Sequence, residues 1–511
     1  MVAAGIFLSR LTGLLRQRIL AHFLGLGEAA DAFAAAFRIP NFLQNLLGEG
    51  VLSASFIPVY ARLTGQGRAE EARRVAGTVL SLLFLMTGLL VALGVTFAPE
   101  LVLMLAPGFA GPKRDLTIRL VRILFPGVGL LVFSAWCLGI LNSHRRFFLS
   151  YAAPVVWNAA IIVATLIPSG AAPEVIVVWT AWGAVSGSLI QLLVQLPGAL
   201  RAAGGVRPLL ATGNESVRVV IRNFGPAFVG RGVVQISAFV DAILASLLPT
   251  GAVAAVLNAQ LLYTLPVSLF GMSVAAAELP ALSVTAGQDD EGHVALRSRI
   301  ERAAAQIAFF VVPSVVAFLV LGKVIAAALF QTGRFSEADT EYVWAILAGA
   351  TVGLLAATLA RLYASAWYAL QDTRRPLRYA VVRVGLTVVL GYLAALQLPD
   401  LLGIERQWGA VGLTASAGLA GWVEFVLLRR SLQQRIGPIP AHPNYLLRLS
   451  LAAAAAAAGG AAGWVLAGDQ LGSILLALLV LGIYGALYLG LTWLIRIPAA
   501  LELAGRLGLT R

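Results

Sequence analysis

The sequence is short of charge, cysteine and histidine, and each shortage removes a class of protein. Only 12% of its 511 residues are Asp, Glu, Lys or Arg, about half of what a soluble domain carries. The single cysteine, Cys137, excludes an internal disulfide framework and a cysteine-built metal centre. The four histidines, His22, His144, His293 and His442, are scattered without ligand spacing. No Walker A loop, GxSxG or HExxH sequence occurs, and no polar stretch is long enough to hold a soluble active site. The chain therefore reads as neither an enzyme nor a metalloprotein, with no catalytic residues and no cofactor.

What is present in quantity is apolar. Hydrophobic residues make up 59% of the chain, the mean hydropathy is +0.87, and runs of about 20 apolar residues recur, each long enough to cross a bilayer core. The fold class expected is an all-α polytopic membrane protein. Fourteen spans are expected, near residues 3–22, 31–61, 75–98, 117–141, 149–168, 175–197, 219–248, 253–282, 303–330, 341–370, 377–398, 409–428, 446–467 and 471–495. The first does not read as a cleaved signal, because arginines interrupt its apolar region instead of preceding it.

The net charge of +13 would suggest nucleic acid as a partner of a soluble protein. Its placement suggests topology instead. Twenty-two arginines fall in alternate loops and at the C-terminal end, whereas the opposite loops hold only Lys113, Arg114, Arg334 and Arg406. The positive-inside rule then puts both termini in the cytoplasm and leaves no reason to invoke nucleic acid.

A duplication is faintly visible. Val128-Gly129-Leu130-Leu131 recurs as Val352-Gly353-Leu354-Leu355, and Leu141-Asn-Ser-His-Arg145-Arg146 is echoed by Leu370-Gln-Asp-Thr-Arg374-Arg375. Pro107-Gly108-Phe109 and Gly333-Arg334-Phe335 also follow the third and ninth spans. The offsets approximate six spans, which suggests a parallel repeat. The division expected is a six-helix bundle over 1–200, a second over 201–436, and a further helix pair over 437–511.

The ionisable residues inside the spans carry the chemistry. An arginine near the centre of a lone membrane helix costs roughly 2.5–3.5 kcal/mol on the mildest scale, yet the first span holds Arg10, Arg16 and Arg18. At 100° per residue Arg10, Gly13 and Gln17 share a face, with Arg16 at its edge, and Gly13 permits a bend or a close neighbour. Such guanidinium groups either bind a phosphate-like anion in a wet cavity or pair with acids of other helices. In the second span Pro40 disturbs the helix ladder and Gly48 and Gly50 flank Glu49, so Asp31 to Gly50 reads as a broken helix lining a cavity. Asp31 and Glu49 are arginine partners or proton carriers, and Asp31 is alternatively a helix-end cap. Asp241, deep in the seventh span, is either a cation or proton site or the partner of an arginine such as Arg231. Arg361 in the tenth span, like Arg10, Arg16 and Arg231, is too far from a span end to reach the interface easily. Glu278 and Glu424 are the remaining intramembrane acids.

Taken in order, several motifs resemble the MurJ/MviN family of bacterial lipid II flippases, within the multidrug/oligosaccharidyl-lipid/polysaccharide exporter superfamily. They are Ser9-Arg10-x-x-Gly13-x-x-Arg16, Asp31-Ala32-Phe33 leading to Pro40-Asn41, Glu49-Gly50 before Phe56-Ile-Pro58, and Ala106-Pro-Gly-Phe109. Further along come Gly139-Ile-Leu-Asn142 with Arg146-Phe147, Gly225-Pro226 before Gln235-Ile-Ser237, Phe330-Gln-x-Gly333-Arg-Phe335 and Tyr368-Ala-x-Gln-Asp372-Thr-Arg-x-Pro376. The resemblance implies two bundles around a central cationic cavity and a groove for the polyprenyl tail on the last two helices. It also implies several residues ahead of the first span. The substrate implied is lipid II, an undecaprenyl-diphosphate-linked disaccharide pentapeptide, flipped across the inner membrane for peptidoglycan synthesis. The drive would be the membrane potential or an ion gradient. Membrane lipids and proteins of peptidoglycan synthesis are the other partners implied.

By the same resemblance Arg10 and Arg16 stand at headgroup positions, Asp31 matches the acid that opens the second span, and Asp241 matches a position that is acidic or amide in relatives. With the reading of the residues themselves, Arg10, Arg16, Asp31, Gln44, Glu49 and Arg231 are expected to bind substrate, Asp241 to couple an ion, and Gly13, Pro40, Asn41 and Arg361 to shape or gate the path. The sequence departs from the family at Gln17, where an acid is common, and at Gln44-Asn45, where a basic pair is common. It departs again at Gln260-Leu261, in place of Asp-Arg, and at Gly391, in place of an asparagine. Two cavity arginines are thus missing, and Arg231 is the residue expected to replace their charge. Two other functions stay open at this point: flipping a different polyprenyl-diphosphate saccharide, or scaffolding envelope synthesis without transport.

Overall fold

The computed structural model describes residues 2–211, 213–274, 278, 290–440, 442–468 and 470–506, and among them every regular element is helical. In chain order the α-helices of the first half are α1 (Val2–Leu24), α2 (Glu28–Leu43), α3 (Leu52–Ser55), α4 (Ile57–Gly65), α5 (Ala69–Thr96), α6 (Ala98–Leu105), α7 (Gly111–Ser143), α8 (Phe147–Leu166), α9 (Pro173–Ala202) and α10 (Glu215–Ser246). Those of the second half are α11 (Ala252–Pro266), α12 (Asp290–Val320), α13 (Gly322–Phe330), α14 (Glu337–Thr351), α15 (Leu354–Ala369), α16 (Arg374–Tyr392), α17 (Leu398–Leu402), α18 (Gly409–Ile436), α19 (Pro443–Ala467), α20 (Ser473–Leu494) and α21 (Pro498–Arg506).

Ten of these are long and apolar enough to cross a membrane, or eleven if the pair α14 and α15, bent by 43°, is one span. The expected spans near 3–22 and 31–61 stand outside that set, and the span near 219–248 is only partly covered by the described side chains. Every sufficiently long stretch of α1 contains three arginines, and α2 stops after 16 residues. The two helices that miss the apolar test, α1 and α2, are thus rich in candidate site residues.

Packing divides the chain into two compact units. The first comprises Met1–Ala254 with Thr332–Phe335, the second Ala255–Gln331 with Ser336–Arg511. The first bundle was expected to end near residue 200, but α10 packs within the first unit. Ser216 donates to Glu71 of α5 at 2.7 Å, and Phe239 meets Phe42 of α2 edge-on at 4.8 Å.

In the first unit the core gathers around Phe56, Tyr60, Trp136, Cys137 and Ile140, all fully buried. α8 and α9 approach closely through small residues. A Cβ on Gly183 would stand 2.4 Å from that of Ala164, so only glycine lets these helices meet at that distance. Polar groups of α7 and α9 bond to one another: Gln191 donates to Ser134, and Ser134 to Gln195.

Two loops lock onto helix ends of this unit. Gly108 donates its N–H to the Ser246 hydroxyl at the end of α10. Arg334 donates its N–H to the His22 carbonyl of α1 at 2.8 Å, while the His22 ring meets the Thr332 hydroxyl. These contacts explain why residues 332–335 belong to the first unit. They also show what the echo of Pro107-Gly-Phe and Gly333-Arg-Phe represents, since both tripeptides dock on the end of a helix.

In the second unit α19 and α20 dock on α12 through three tyrosines. Tyr445, Tyr488 and Tyr484 donate their hydroxyls to the carbonyls of Ala305, Phe309 and Pro313, one helical turn apart. Pro313 has no N–H, so the Phe309 carbonyl lacks its ordinary helical donor, and the Tyr488 hydroxyl supplies one.

The internal echo takes a definite register. α7 ends with Arg145 in the left-handed region, and α15 ends with Gln371 in the same conformation, φ 59° in both. Each end closes with the same bond pair, Arg146 N–H to Leu141 and Arg145 N–H to Asn142, against Asp372 N–H to Trp367 and Gln371 N–H to Tyr368. The structural counterpart of Arg145-Arg146 is therefore Gln371-Asp372, not the pair Arg374-Arg375 that the sequence comparison aligned with it. Asp372 instead caps α16, accepting the N–H groups of Arg374 and Arg375.

Candidate functional site

Arg16 lies on the face of α1 turned to α8. The Asn158 side chain of α8 ties this face together, accepting from Arg16 Nη1 at 3.0 Å and donating to the Ser9 carbonyl and the Thr12 hydroxyl. Ser9, Thr12, Gly13 and Arg16 follow the helical spacing that puts them on one side, and a Cβ on Gly13 would come 3.9 Å from Asn158. That is ordinary contact, so Gly13 supplies room for a neighbour, and α1 passes through it without a break. The grouping differs from the expected face of Arg10, Gly13 and Gln17. Arg10 is exposed, and Arg16 is the arginine held against α8.

The guanidinium of Arg16 also sits over two rings, 5.4 Å from Phe37 of α2 and 5.3 Å from Trp157 of α8. Those rings stack on each other at 5.7 Å and 16°, and the Trp157 N–H donates to the Ala184 carbonyl of α9 at 3.0 Å. Cation–π contacts out of water are worth about 2 kcal/mol, and here they orient the fork without using its hydrogens. Among the described residues Arg16 Nε is buried without a hydrogen-bond partner. No motif marks Phe37, Trp157 or Asn158 as site residues. The signal available was only an aromatic at 37, one helical turn after Phe33, and a Trp-Asn pair inside an apolar run.

The second span was expected to break near its proline, but it stays helical from Glu28 to Ser55 and changes only its winding. α2 continues through Pro40 and Asn41, and the chain then widens into a π-helical segment over Gln44–Val51 before α3. π-helical segments shift the register of side chains and are common at functional positions. Gln44 opens this segment and is half-buried, as is Asn41. The side chains of Pro40, Glu49 and Arg231 lie outside the described residues. Asp241 of α10 lies within the electrostatic reach of Arg38 of α2. That arginine was visible in the sequence only as one of several intramembrane bases.

Asp31 is placed differently from a cavity residue. Its side chain, 1% exposed, holds the Lys113 ammonium at 2.6 Å and accepts the N–H groups of Gly251 at 2.8 Å and Ala254 at 2.9 Å. Lys113 also lies 4.2 Å from the Phe109 ring centroid. The carboxylate thus joins the starts of α2 and α7 to the first turn of α11, where unsatisfied N–H groups and the helix dipole favour an anion. Gly251 is fitted to this turn, with φ at +97° and space for a Cβ only 2.6 Å from the Leu26 carbonyl. The helix-cap alternative is the one realised, on a neighbouring helix instead of its own.

The second unit has an intramembrane cluster of its own. Glu424 of α18 pairs with Arg383 of α16 at 3.0 Å, and Arg361 of α15, itself exposed, lies within the reach of the same carboxylate. Glu278 pairs with Arg299. Among the described residues no group of three or more His, Cys, Asp or Glu side chains is arranged to hold a metal ion.

Set against known proteins, residues 20–482 match the family profile described as lipid II flippase MurJ. A probable lipid II flippase of Bdellovibrio bacteriovorus is 32% identical over 446 residues, covering 85% of this chain and 81% of the relative. A lipid II flippase of Burkholderia cenocepacia is 29% identical over 504 residues, covering 95% and 94%. Among solved structures, a lipid II flippase in an inward closed conformation is similar with a TM-score of 0.79 at 22% identity, covering 97% of this chain and 98% of that one. An inward-facing multidrug transporter of the MATE family is similar at 0.68 and 19% identity, covering 84% and 95%. The two structural likenesses speak for the fold.

Proposed function

The chain belongs to the MurJ family of lipid II flippases, and on that premise we propose that it carries lipid II across a bacterial inner membrane by alternating access. The observation that carries the reading is Arg16. A guanidinium held by two rings and one amide, with a buried Nε still unbonded, is pre-oriented to fork onto a diphosphate oxygen. Arg10, one and a half turns earlier on α1, adds positive charge. Asp31 supports this arrangement from its clamp without touching substrate.

The arginine-rich loops support cytoplasmic termini. A drive from the membrane potential or an ion gradient fits a chain without a nucleotide-binding motif, with Asp241 beside Arg38 as the carboxylate that would sense a cation. Proteins of peptidoglycan synthesis are the partners this role would bring.

Complementation of a bacterium depleted of its lipid II flippase tests the proposal. Rescue by this chain, lost in Arg16→Ala at unchanged membrane abundance, supports transport, whereas rescue that survives the substitution points to scaffolding. Arg231→Ala in the same assay tests whether that residue replaces the missing cavity charge, and undiminished rescue removes the idea. Gln44 and Gln260, standing where relatives carry charge, favour a second reading in which another polyprenyl-diphosphate saccharide is the cargo. Binding of lipid II in competition with such glycans separates the two.

A further inference from the structure

Near its N-terminal end α7 presents three ionisable side chains that the flippase reading leaves unused. Asp115, Arg119 and Arg122 follow at spacings of four and three residues and are all exposed, which makes them a single stripe on the helix. They line a crevice of about 590 Å³ together with Pro126 and Trp182 of α9. No ion pair joins Asp115 to either arginine, and Arg122 Nε donates to the Val95 carbonyl at 3.3 Å.

The depth of the stripe follows from helix length. Arg122 precedes Ser143, the last residue of α7, by a stretch that covers about 30 Å at 1.5 Å per residue, the thickness of the hydrocarbon core. Arg119 and Arg122 therefore stand where hydrocarbon meets headgroups, on the side opposite the Arg145-Arg146 loop. Trp182, 56% exposed, suits the same layer. Pro126 has no N–H, so the Arg122 carbonyl loses its ordinary helical donor. The crevice thus offers two guanidinium groups to a phosphate, and the Asp115 carboxylate to a cation that carries hydrogens.

We propose that this crevice binds a phospholipid whose headgroup joins a phosphate to a primary ammonium, a phosphatidylethanolamine. The phosphate lies between Arg119 and Arg122, and the ammonium donates to Asp115, one helical turn before Arg119. A phosphatidylcholine has the same phosphate but no N–H on its cation. A phosphatidylglycerol has the phosphate and no cation.

Native mass spectrometry of the full chain, delipidated in detergent and titrated with these three lipids of equal chain length, tests the assignment. The wild-type protein should retain phosphatidylethanolamine over phosphatidylcholine by about tenfold, the lower end of the scale of one charge-assisted hydrogen bond. Asp115→Asn should bring that ratio close to one. The double variant Arg119→Gln/Arg122→Gln should weaken all three lipids severalfold, and the double lysine variant should restore them. Equal retention of the ethanolamine and choline lipids by the wild type would overturn the proposal. So would a preference that survives Asp115→Asn, tighter binding of phosphatidylglycerol than of phosphatidylethanolamine, or indifference to loss of the two arginines.

Discussion

The carboxylate of Asp31 and the ammonium of Lys113 form an ion pair 2.6 Å long with side chains 1% and 10% exposed. Both charges are out of water, and the pair is tolerable because the remaining carboxylate lone pairs take the N–H groups of Gly251 and Ala254. Removing one partner strands the other charge. Asp31→Ala should destabilise the protein by about 3–5 kcal/mol, the range for breaking a buried pair. Asp31→Ala combined with Lys113→Met should cost clearly less than Asp31→Ala alone. Thermal unfolding in detergent, read as a double-mutant cycle, checks this; additive effects would mean that the pair contributes nothing as a pair.

On the proposed role of Arg16, Trp157 should affect transport through it. Trp157→Leu removes one of the two rings beside the guanidinium and the bond to Ala184 while leaving α8 apolar. Transport should fall about tenfold, the effect of loosening an interaction worth about 1.4 kcal/mol. Trp157→Phe keeps a ring under the guanidinium and should retain most activity. Initial rates of substrate translocation in vesicles provide the comparison, with equal loss in both variants arguing for packing alone.

Tyr488→Phe leaves the Phe309 carbonyl of α12 with neither its tyrosine donor nor a helical one, because Pro313 stands where that donor would be. The expected loss is about 1 kcal/mol. Tyr445→Phe should cost less, since the Ala305 carbonyl of α12 keeps a helical donor in Phe309. Melting temperatures of the two variants, measured side by side, decide the point.

The His144 ring, beyond the end of α7, lies 3.1 Å from the Tyr60 hydroxyl. Burial, and then the neighbouring Arg146, hold its pKa below the ordinary value of 6.5. The unfolded chain therefore binds this proton more readily than the native one, so stability rises with pH. The contribution is complete above about pH 6.5 and is lost progressively as the pH falls below it. Melting temperature plotted against pH from 7.5 to 5 should slope less in His144→Gln than in the wild type.

Much of the architecture was legible because membrane spans announce themselves by composition. All ten helices that pass the length and apolarity test coincide with expected spans, since hydrocarbon solvent demands a long apolar helix whatever it packs against. That the second span is irregular was legible from Pro40 and its glycines, though they suggested a break where the helix in fact continues. Its form, a π-helical segment beginning only at Gln44, was not, because proline leaves the helix N-terminal to it strained but does not dictate where the ladder reopens. The repeat was legible in outline and misregistered in detail. Pairs of arginines drew the alignment of 145–146 to 374–375, whereas the backbone places Arg145 opposite Gln371.

The sequence by itself determined that this is a polytopic helical membrane protein, that α1 carries charge hydrocarbon would expel, and that the motifs belong to a lipid II flippase family. Those conclusions depend on composition, period and order along the chain, which one strand of letters contains. Only the tertiary structure decided what each charged group does. It set Arg16 over Phe37 and Trp157 and bound it to Asn158, 142 residues away, and it turned Asp31 to a lysine and to the first turn of a distant helix. The physical reason is that the state of a charge in a low-dielectric interior is set by the few groups within reach of it. Which groups those are is a property of packing between segments, and no local pattern encodes it.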